Sequence, residues 1–434
     1  MENTKTIAKA RQGLHGTIEI PGDKSISHRS VMFSALGSTP VHITNLLHAQ
    51  DCLSTAACMK ALGASVEFES ETALTVCGHG LHGLKEASTI IDAGNSGTTL
   101  RLMMGILAPQ PFLTTFTGDA SLHKRPMGRV IKPLSAMGAK IYGRENNTKL
   151  PITIVPAESR LHGMVYESPV ASAQVKSAIL LAGMYADGPT TVVEPFTSRD
   201  HTERMLEAFG VETKKEGTAV TIEPVDSFRA PEAIEVPGDI SSAAYWLVAG
   251  SVVPGSSLLL KNVGVNPTRT GILDVLKAMG ASVTLENERV SGGEAAADIR
   301  VEAAKLHGTS FGAEIMPRLI DEIPVIAVAA LFAEGDTVIT GAGELRVKET
   351  DRLQAITDEF NKLAPGSVEA SEDGLVIHGG TKVQCANCFS YDDHRMAMSL
   401  AILGTAGEGV EIERPDCVNI SYPAFYGTLA RLQA

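Results

Sequence analysis

The chain has 434 residues, 44% hydrophobic and 20% charged, with a formal net charge of −13 at pH 7. That length holds two domains or one large repeated one with ample core. The acid balance argues against a general nucleic-acid binder, and 5% aromatic content leaves little for base stacking. No run approaches 18 uninterrupted apolar residues and residues 1–10 lack an apolar signal core, so a cytoplasmic location is expected. Six cysteines stand at 52, 58, 77, 385, 388 and 417. Only Cys385 and Cys388 share a C-x-x-C spacing, without a second pair, so free thiols and no metal site are expected.

The first informative stretch is Asp23-Lys-Ser-Ile-Ser-His-Arg29, between the strand-like Thr17-Ile-Glu-Ile-Pro21 and the apolar run Val31-Met-Phe-Ser-Ala-Leu36. It puts two cations, two hydroxyls and an imidazole at a strand-to-helix junction, where free N–H groups and the positive dipole end suit an anion. It is not a Walker A loop, because Gly22 is followed by Asp23 instead of Lys. Taken alone, an N-capped helix with solvated charges explains it equally well.

Six further polar clusters follow, each at the start of an apolar helical run. They are Asn95-Ser-Gly-Thr98 with Arg101, Lys124-Arg-Pro-Met-Gly-Arg129, Ser172-Ala-Gln-Val-Lys176, Ser198-Arg-Asp-His201, Arg346-Val-Lys-Glu-Thr-Asp-Arg352 and Asp392-Asp-His-Arg395. Between them, helices close on a small-residue–Gly signature at Gly63, Gly138, Gly210 and Gly280, roughly every 70 residues. Looser matches lie at Gly366 and Gly427. An interleaved series of apolar helix, Gly turn and strand has the same period, as in Ala178-Ile-Leu-Leu-Ala-Gly183 before Thr190-Thr-Val-Val193. The pattern predicts six units of two helices and several strands. Ile20-Pro-Gly-Asp23 is echoed by Val236-Pro-Gly-Asp239, which predicts a boundary near 235 and two similar lobes of three units with a ligand cleft between them.

The first half contributes Lys24, Arg29, Asn95, Arg125, Gln174 and Arg199; the second contributes Asp321, Lys348, Glu349, Arg352, His394 and Arg395. Arg forks suit phosphate and carboxylate, so a small, multiply anionic ligand is expected. Carboxylates among those cations suit a base or a proton relay. Local sequence leaves other readings open. Asp321 and Glu322 also fit compensation of the following helix dipole, Glu349 a salt-bridged helix face, and His394 a helix start without a catalytic task.

In this order the clusters resemble the 5-enolpyruvylshikimate-3-phosphate synthase family, over about residues 12 to 430. The resemblance implies a two-lobed inside-out α/β barrel of six βαβαββ repeats, three per lobe. It implies one lobe over 23–234 and the other from 1–22 plus 235–434, with the active site in the cleft between them. It further implies transfer of the enolpyruvyl group of phosphoenolpyruvate to the 5-hydroxyl of shikimate 3-phosphate, with release of phosphate and without a metal or organic cofactor. By the same resemblance, Lys24, Ser25, Arg29, Ser172, Ala173 (through its backbone), Gln174, Arg199, Asp321 and Lys348 hold shikimate 3-phosphate. Lys24, Asn95, Gly97, Arg125, Gln174, Arg352 and Arg395 hold phosphoenolpyruvate. Asp321 is the base for the 5-hydroxyl, Glu349 the proton donor to the methylene, Lys24 a second proton handler and His394 a support.

Ile420, in Cys417-Val-Asn-Ile-Ser-Tyr-Pro423, stands where some members carry Lys, so one family cation is absent. Arg-Pro-Met-Gly-Arg and Asn266-Pro-Thr-Arg269 resemble the second class of the family, associated with glyphosate tolerance. Gly97 points the other way, since tolerant members often have Ala there. The sister enzyme acting on UDP-N-acetylglucosamine is disfavoured because Gly118-Asp-Ala-Ser-Leu-His-Lys124 lacks its reactive Cys. A non-catalytic anion-binding repeat protein is disfavoured by Asp321 and Glu349 beside the cations. A monomer is expected, as no coiled coil or long apolar edge is evident.

Overall fold

Four of the polar clusters, and the later Pro-Gly-Asp239, begin helices with a short side chain that takes up first-turn N–H groups. Asp23 accepts from the Ile26 N–H at 2.9 Å, Ser96 from Thr99 at 3.1 Å and Asp239 from Ser241 at 2.9 Å. Asp351 accepts from Gln354 at 3.1 Å and Asp393 from Arg395 at 2.8 Å. These bonds come from a computed structural model, which describes residues 3–434.

The repeat is plainest over residues 91–155. Strand Ile91–Asp92 runs parallel to Thr114–Thr117, with helix Gly97–Leu107 between them in sequence. Helix Gly128–Ala136 follows, then the antiparallel hairpin of Lys140–Gly143 and Lys149–Val155. The segments 165–222 and 310–378 repeat this order of strands and helices. Among the described residues there are six sheets, five of four strands and one of three. The three-stranded one takes Thr4–Ile7 as its antiparallel partner to Val410–Glu413.

The chain folds as two units, each with three of the sheets and its own core. One comprises Gly22–Pro237 with the hairpin tip Val290–Glu294; the other comprises the residues up to Pro21, Gly238–Arg289 and Ala295–Ala434. Helices Lys24–Ser34, Gly97–Leu107 and Ala173–Gly183 run through the first core. Ile240–Val252, Ile323–Leu331 and His394–Ala406 run through the second, and every residue of Ile323–Leu331 is buried. Such helices are buried on nearly every side, so their exposed chemistry is confined to their ends.

The Pro-Gly-Asp echo turns out to mark an exchange of strands. Helix Lys24–Ser34 follows strand His15–Glu19 in sequence, yet that strand pairs with Ser257–Gly264 in the other unit's sheet. In return Ala233–Glu235, which precedes helix Ile240–Val252, pairs with Val41–Thr44. The crossing points are locked within each unit: the Asp23 N–H donates to Pro237 O at 2.7 Å, and the Asp239 N–H to Pro21 O at 2.9 Å. Both echo glycines are required by close approach. A Cβ on Gly22 would lie 1.9 Å from Asn45 O, and one on Gly238 would lie 2.7 Å from Ile20 Cβ.

Gly63, Gly138, Gly210, Gly280 and Gly366 all sit just past helix ends with positive φ, between 74° and 101°. Gly427 does not belong to that series. It lies inside helix Phe425–Gln433, where the same small-Gly pattern is simply tolerated in a helix. Gly105 has another duty: its absent Cβ lets helix Gly97–Leu107 approach Ala178 O, which a methyl would meet at 2.2 Å. Gly105→Ala is therefore expected to cost about 1–3 kcal/mol by overpacking, read as a lower urea midpoint. No helix of the described residues is long and apolar enough to cross a membrane.

Candidate functional site

In the Gly22–Pro237 unit, Lys24 starts its helix and pairs with the Asp51 carboxylate. Burial pushes the Asp51 carboxyl up, but Lys24 outweighs it and holds the group below the usual aspartate range. Arg29 is buried one turn further on. Its Nε donates to Thr202 Oγ1 at 2.7 Å, Nη2 to Ser177 Oγ at 2.9 Å and Nη1 to Ser25 O at 2.9 Å. Burial lowers the Arg29 guanidinium to about 10, with Arg199 close enough to add like-charge repulsion. Burial, then the Lys24 charge, lowers the neighbouring His28 to about 3, which leaves it neutral.

A second group gathers at helix Gly97–Leu107. A Cβ on Gly97 would meet Arg101 Nη1 at 3.0 Å and Arg125 Nη1 at 3.3 Å. Arg101 donates to Gln174 Oε1 at 2.6 Å, and Gln174 Nε2 donates to Thr98 Oγ1 at 3.0 Å. Burial, then the charges of Arg125 and Arg129, lower Arg101 to about 10. Three guanidiniums that repel one another are held together by the fold, an arrangement that an anion between them would relieve. Asn95 lies in the turn before this helix with its Oδ1 buried. Ser172 precedes helix Ala173–Gly183 and its N–H donates to Glu194 Oε1 at 2.9 Å.

The other unit carries the carboxylates. Asp321 sits in the short turn Ile320–Glu322. Its Oδ1 is 3.7 Å from Arg352 Nη1 and 4.0 Å from Lys348 Nζ, and its Oδ2 is 4.0 Å from Arg395 Nη2. Arg395 Nη1 also donates to the Asp321 carbonyl at 3.0 Å. Arg352, 1% exposed, bonds Asp393 Oδ2 at 2.8 Å through Nε and Glu349 Oε2 at 2.6 Å through Nη2. Burial pushes the Glu349 carboxyl up, but Arg352 outweighs it and keeps the group ionised below the usual glutamate range. Burial, then Arg395, lowers His394 to about 4, so it is neutral near pH 7.

The residues singled out from sequence thus fall into two sets, one per unit. In the second, ion pairs link Asp321, Lys348, Glu349, Arg352 and Arg395; in the first, Arg29 bonds the Ser25 carbonyl, while Lys24 and Gln174 are held by Asp51 and Arg101. Arg101, which follows Asn95-Ser-Gly-Thr98, joins the first set without being a candidate from sequence. Its signal was spacing, since a residue four past Gly97 lies on the same helix face. Asp51, which holds Lys24, sits in no motif and had no local signal. Among the described residues, no group of three or more His, Cys, Asp or Glu side chains is gathered to hold a metal ion. Cys385 is exposed and Cys388 buried, both as free thiols.

A family model described as EPSP synthase (3-phosphoshikimate 1-carboxyvinyltransferase) matches residues 8–429. The chain is 52% identical over 429 residues to the 3-phosphoshikimate 1-carboxyvinyltransferase of Bacillus cereus (strain 03BB102), covering 99% of both chains. It is 50% identical over 417 residues to that of Desulforamulus reducens, covering 96% of both. The fold is similar to EPSP synthase from Acinetobacter baumannii, with a TM-score of 0.92 and 42% identity over 99% of this chain and 98% of that one. The enolpyruvyl transferase NikO from Streptomyces tendae, at 17% identity and a TM-score of 0.78 over 100% of this chain and 98% of its own, shares the fold.

Proposed function

The chain belongs to the EPSP synthase (3-phosphoshikimate 1-carboxyvinyltransferase) family, and from that premise we propose how its own residues carry the reaction. The enzyme transfers the enolpyruvyl group of phosphoenolpyruvate to the 5-hydroxyl of shikimate 3-phosphate and releases phosphate, a step of aromatic biosynthesis. The inside-out α/β fold of this family carries it.

Shikimate 3-phosphate is assigned Lys24, Ser25, Arg29, Ser172, the Ala173 backbone, Gln174, Arg199, Asp321 and Lys348. Phosphoenolpyruvate is held by Lys24, Asn95, Gly97, Arg125, Gln174, Arg352 and Arg395. The observation that best supports this division is the Asp321 carboxylate lying 3.7–4.0 Å from three cations. Those cations compensate the charge of the carboxylate and face the anions of the two substrates.

Asp321 takes the proton of the 5-hydroxyl as its oxygen bonds to C2 of phosphoenolpyruvate. The enol double bond takes a proton at the methylene carbon, giving a tetrahedral ketal. Elimination then breaks the C2–O bond to phosphate, and a methyl proton returns to the protein. Glu349 handles the methylene proton, with Lys24 as second handler and His394 as neutral support. Glu349 is held ionised by Arg352. A substrate anion on Arg352 would share that charge, raise the proton affinity of Glu349 and load it for donation.

The carrying experiment is phosphate release from phosphoenolpyruvate, with shikimate 3-phosphate and UDP-N-acetylglucosamine as alternative acceptors. Release is expected only with the shikimate ester; release only with the sugar nucleotide would overturn the assignment, and no release from folded enzyme would favour a binding protein. No cofactor enters this scheme, so EDTA treatment is expected to leave the rate unchanged. A Cβ at position 97 must displace two guanidinium tips by a few tenths of an ångström. Gly97→Ala is therefore expected to raise KM for phosphoenolpyruvate about tenfold with little change for shikimate 3-phosphate, measured by steady-state kinetics. A cytoplasmic monomer is the state this reading carries, with sedimentation velocity as its check.

A further inference from the structure

Glu322 has no part in the scheme above, yet it occupies a costly place. It precedes helix Ile323–Leu331, where an acid could cap first-turn N–H groups, but its side chain makes no capping bond. The carboxyl points inward instead and the residue is 1% exposed. A charge or acid buried there costs more than an apolar side chain of similar volume. Helix-dipole compensation, the simplest reading from sequence, therefore does not describe it.

Its partners define a chain of contacts within one unit. Arg269 Nη2 donates to Asp239 Oδ1 at 3.1 Å and to Ser241 Oγ at 2.8 Å. Ser241 Oγ, already an acceptor, donates its one hydrogen bond to Glu322 Oε1. Arg395 Nη1 lies 3.7 Å from that same oxygen and donates to the Asp321 carbonyl at 3.0 Å. The Arg395 guanidinium is thus set between the backbone of the proposed base and the Glu322 carboxyl. Burial raises the Glu322 carboxyl, with Arg395 and Arg269 opposing and Asp321 assisting. Asp239, at Arg269, and Tyr245, beside Arg395, complete the titratable surroundings.

We propose that Glu322, fixed by Ser241, is a positioning residue that holds Arg395 in place for the anion of phosphoenolpyruvate. The inference rests on the assignment of Arg395 to phosphoenolpyruvate. The stay is built from the Asp239-capped start of helix Ile240–Val252, so its aim is set by rigid elements and not by a loop. A guanidinium with several rotatable bonds loses affinity when such a stay is removed, even though it touches the ligand as before.

The test compares Glu322→Ala, Glu322→Gln, Ser241→Ala and Arg395→Gln by steady-state kinetics, with shikimate 3-phosphate affinity from calorimetry and a melting curve for each. Glu322→Ala and Ser241→Ala are expected to raise KM for phosphoenolpyruvate about tenfold, with kcat within about threefold and shikimate 3-phosphate affinity unchanged. Glu322→Gln keeps the volume and an acceptor for Ser241, so it is expected to restore KM to within about threefold. The proposal is overturned if KM stays unchanged in folded Glu322→Ala, if Gln is as poor as Ala, or if shikimate 3-phosphate binding weakens equally. Should Glu322→Ala fail to fold, Ser241→Ala carries the same comparison. Arg395→Gln separates the two levels. An unchanged KM there sinks the site assignment, whereas a raised KM there with an unchanged one in Glu322→Ala sinks this inference alone.

Discussion

Asp321→Asn is expected to lower kcat by about 10²- to 10⁴-fold, the usual worth of a positioned general base. The amide keeps the volume and one acceptor, so the affinity for shikimate 3-phosphate should change much less. The carboxylate is also a countercharge to Lys348, Arg352 and Arg395. Removing it leaves those cations less compensated, so phosphoenolpyruvate should bind as well or better. A fall in kcat without a rise in either KM identifies an interaction made in the transition state. If instead kcat survives and both KM values climb, Asp321 is a structural countercharge and another group takes the 5-hydroxyl proton.

The largest effect on stability is expected at Lys176. Its ammonium is 1% exposed and bridges Glu194 Oε2 at 3.1 Å and Glu203 Oε1 at 2.7 Å, both also buried. Burial lowers the lysine, but Glu203 and Glu194 outweigh it and hold it above the usual range. With the folded value raised, its stabilisation is complete below the ordinary lysine range and is lost only as pH climbs through the higher folded one. The pairing is therefore fully present at pH 7. Lys176→Met leaves two buried carboxylates without the cation between them, although Glu194 keeps its bonds from Ser172 and Ser198, and is expected to cost about 3–5 kcal/mol. In the variant those carboxylates must take up protons to stay buried, so the loss should be smaller at pH 5 than at pH 8. Urea titrations of both proteins at the two pH values measure this; a loss independent of pH would mean that packing, not charge, is at stake.

Lys176 also shows what the sequence could not separate. It lies in the same cluster as Ser172 and Gln174, and by composition it is one more cation beside a helix start. Only the fold reveals that its charge is spent inside. Arg29, assigned above to shikimate 3-phosphate, is also anchored from inside, where its guanidinium ties Thr202, Ser177 and Ser25 together. Cluster positions were legible because Asp23, Ser96 and Asp393 cap helices by a local rule. The six-fold period was legible because left-handed positions such as Gly63 and Gly280 need glycine. Glu322 was not, because its meaning depends on Ser241, 81 residues away. Nor was the hairpin tip at Glu294, whose Oε1 lies 2.7 Å from His201 Nδ1 across 93 residues. Contacts at such separations leave no periodic mark.

The exchange of strands at the Pro-Gly-Asp echo governs the order in which the chain can be built on the ribosome. Strand His15–Glu19 emerges before its partner Ser257–Gly264, which is made some 240 residues later, tens of seconds at ordinary synthesis rates. Until then it is an unpaired edge, and His15 and Glu19 with two exposed neighbours keep it a poor template for aggregation. Ala233–Glu235, by contrast, finds Val41–Thr44 already waiting. The Gly22–Pro237 body can therefore close its sheets, apart from the late hairpin tip, while strand His15–Glu19 remains loose. Assembly thus starts with the segment that follows this strand, and the strand itself is stitched in only after Ser257–Gly264 has been made.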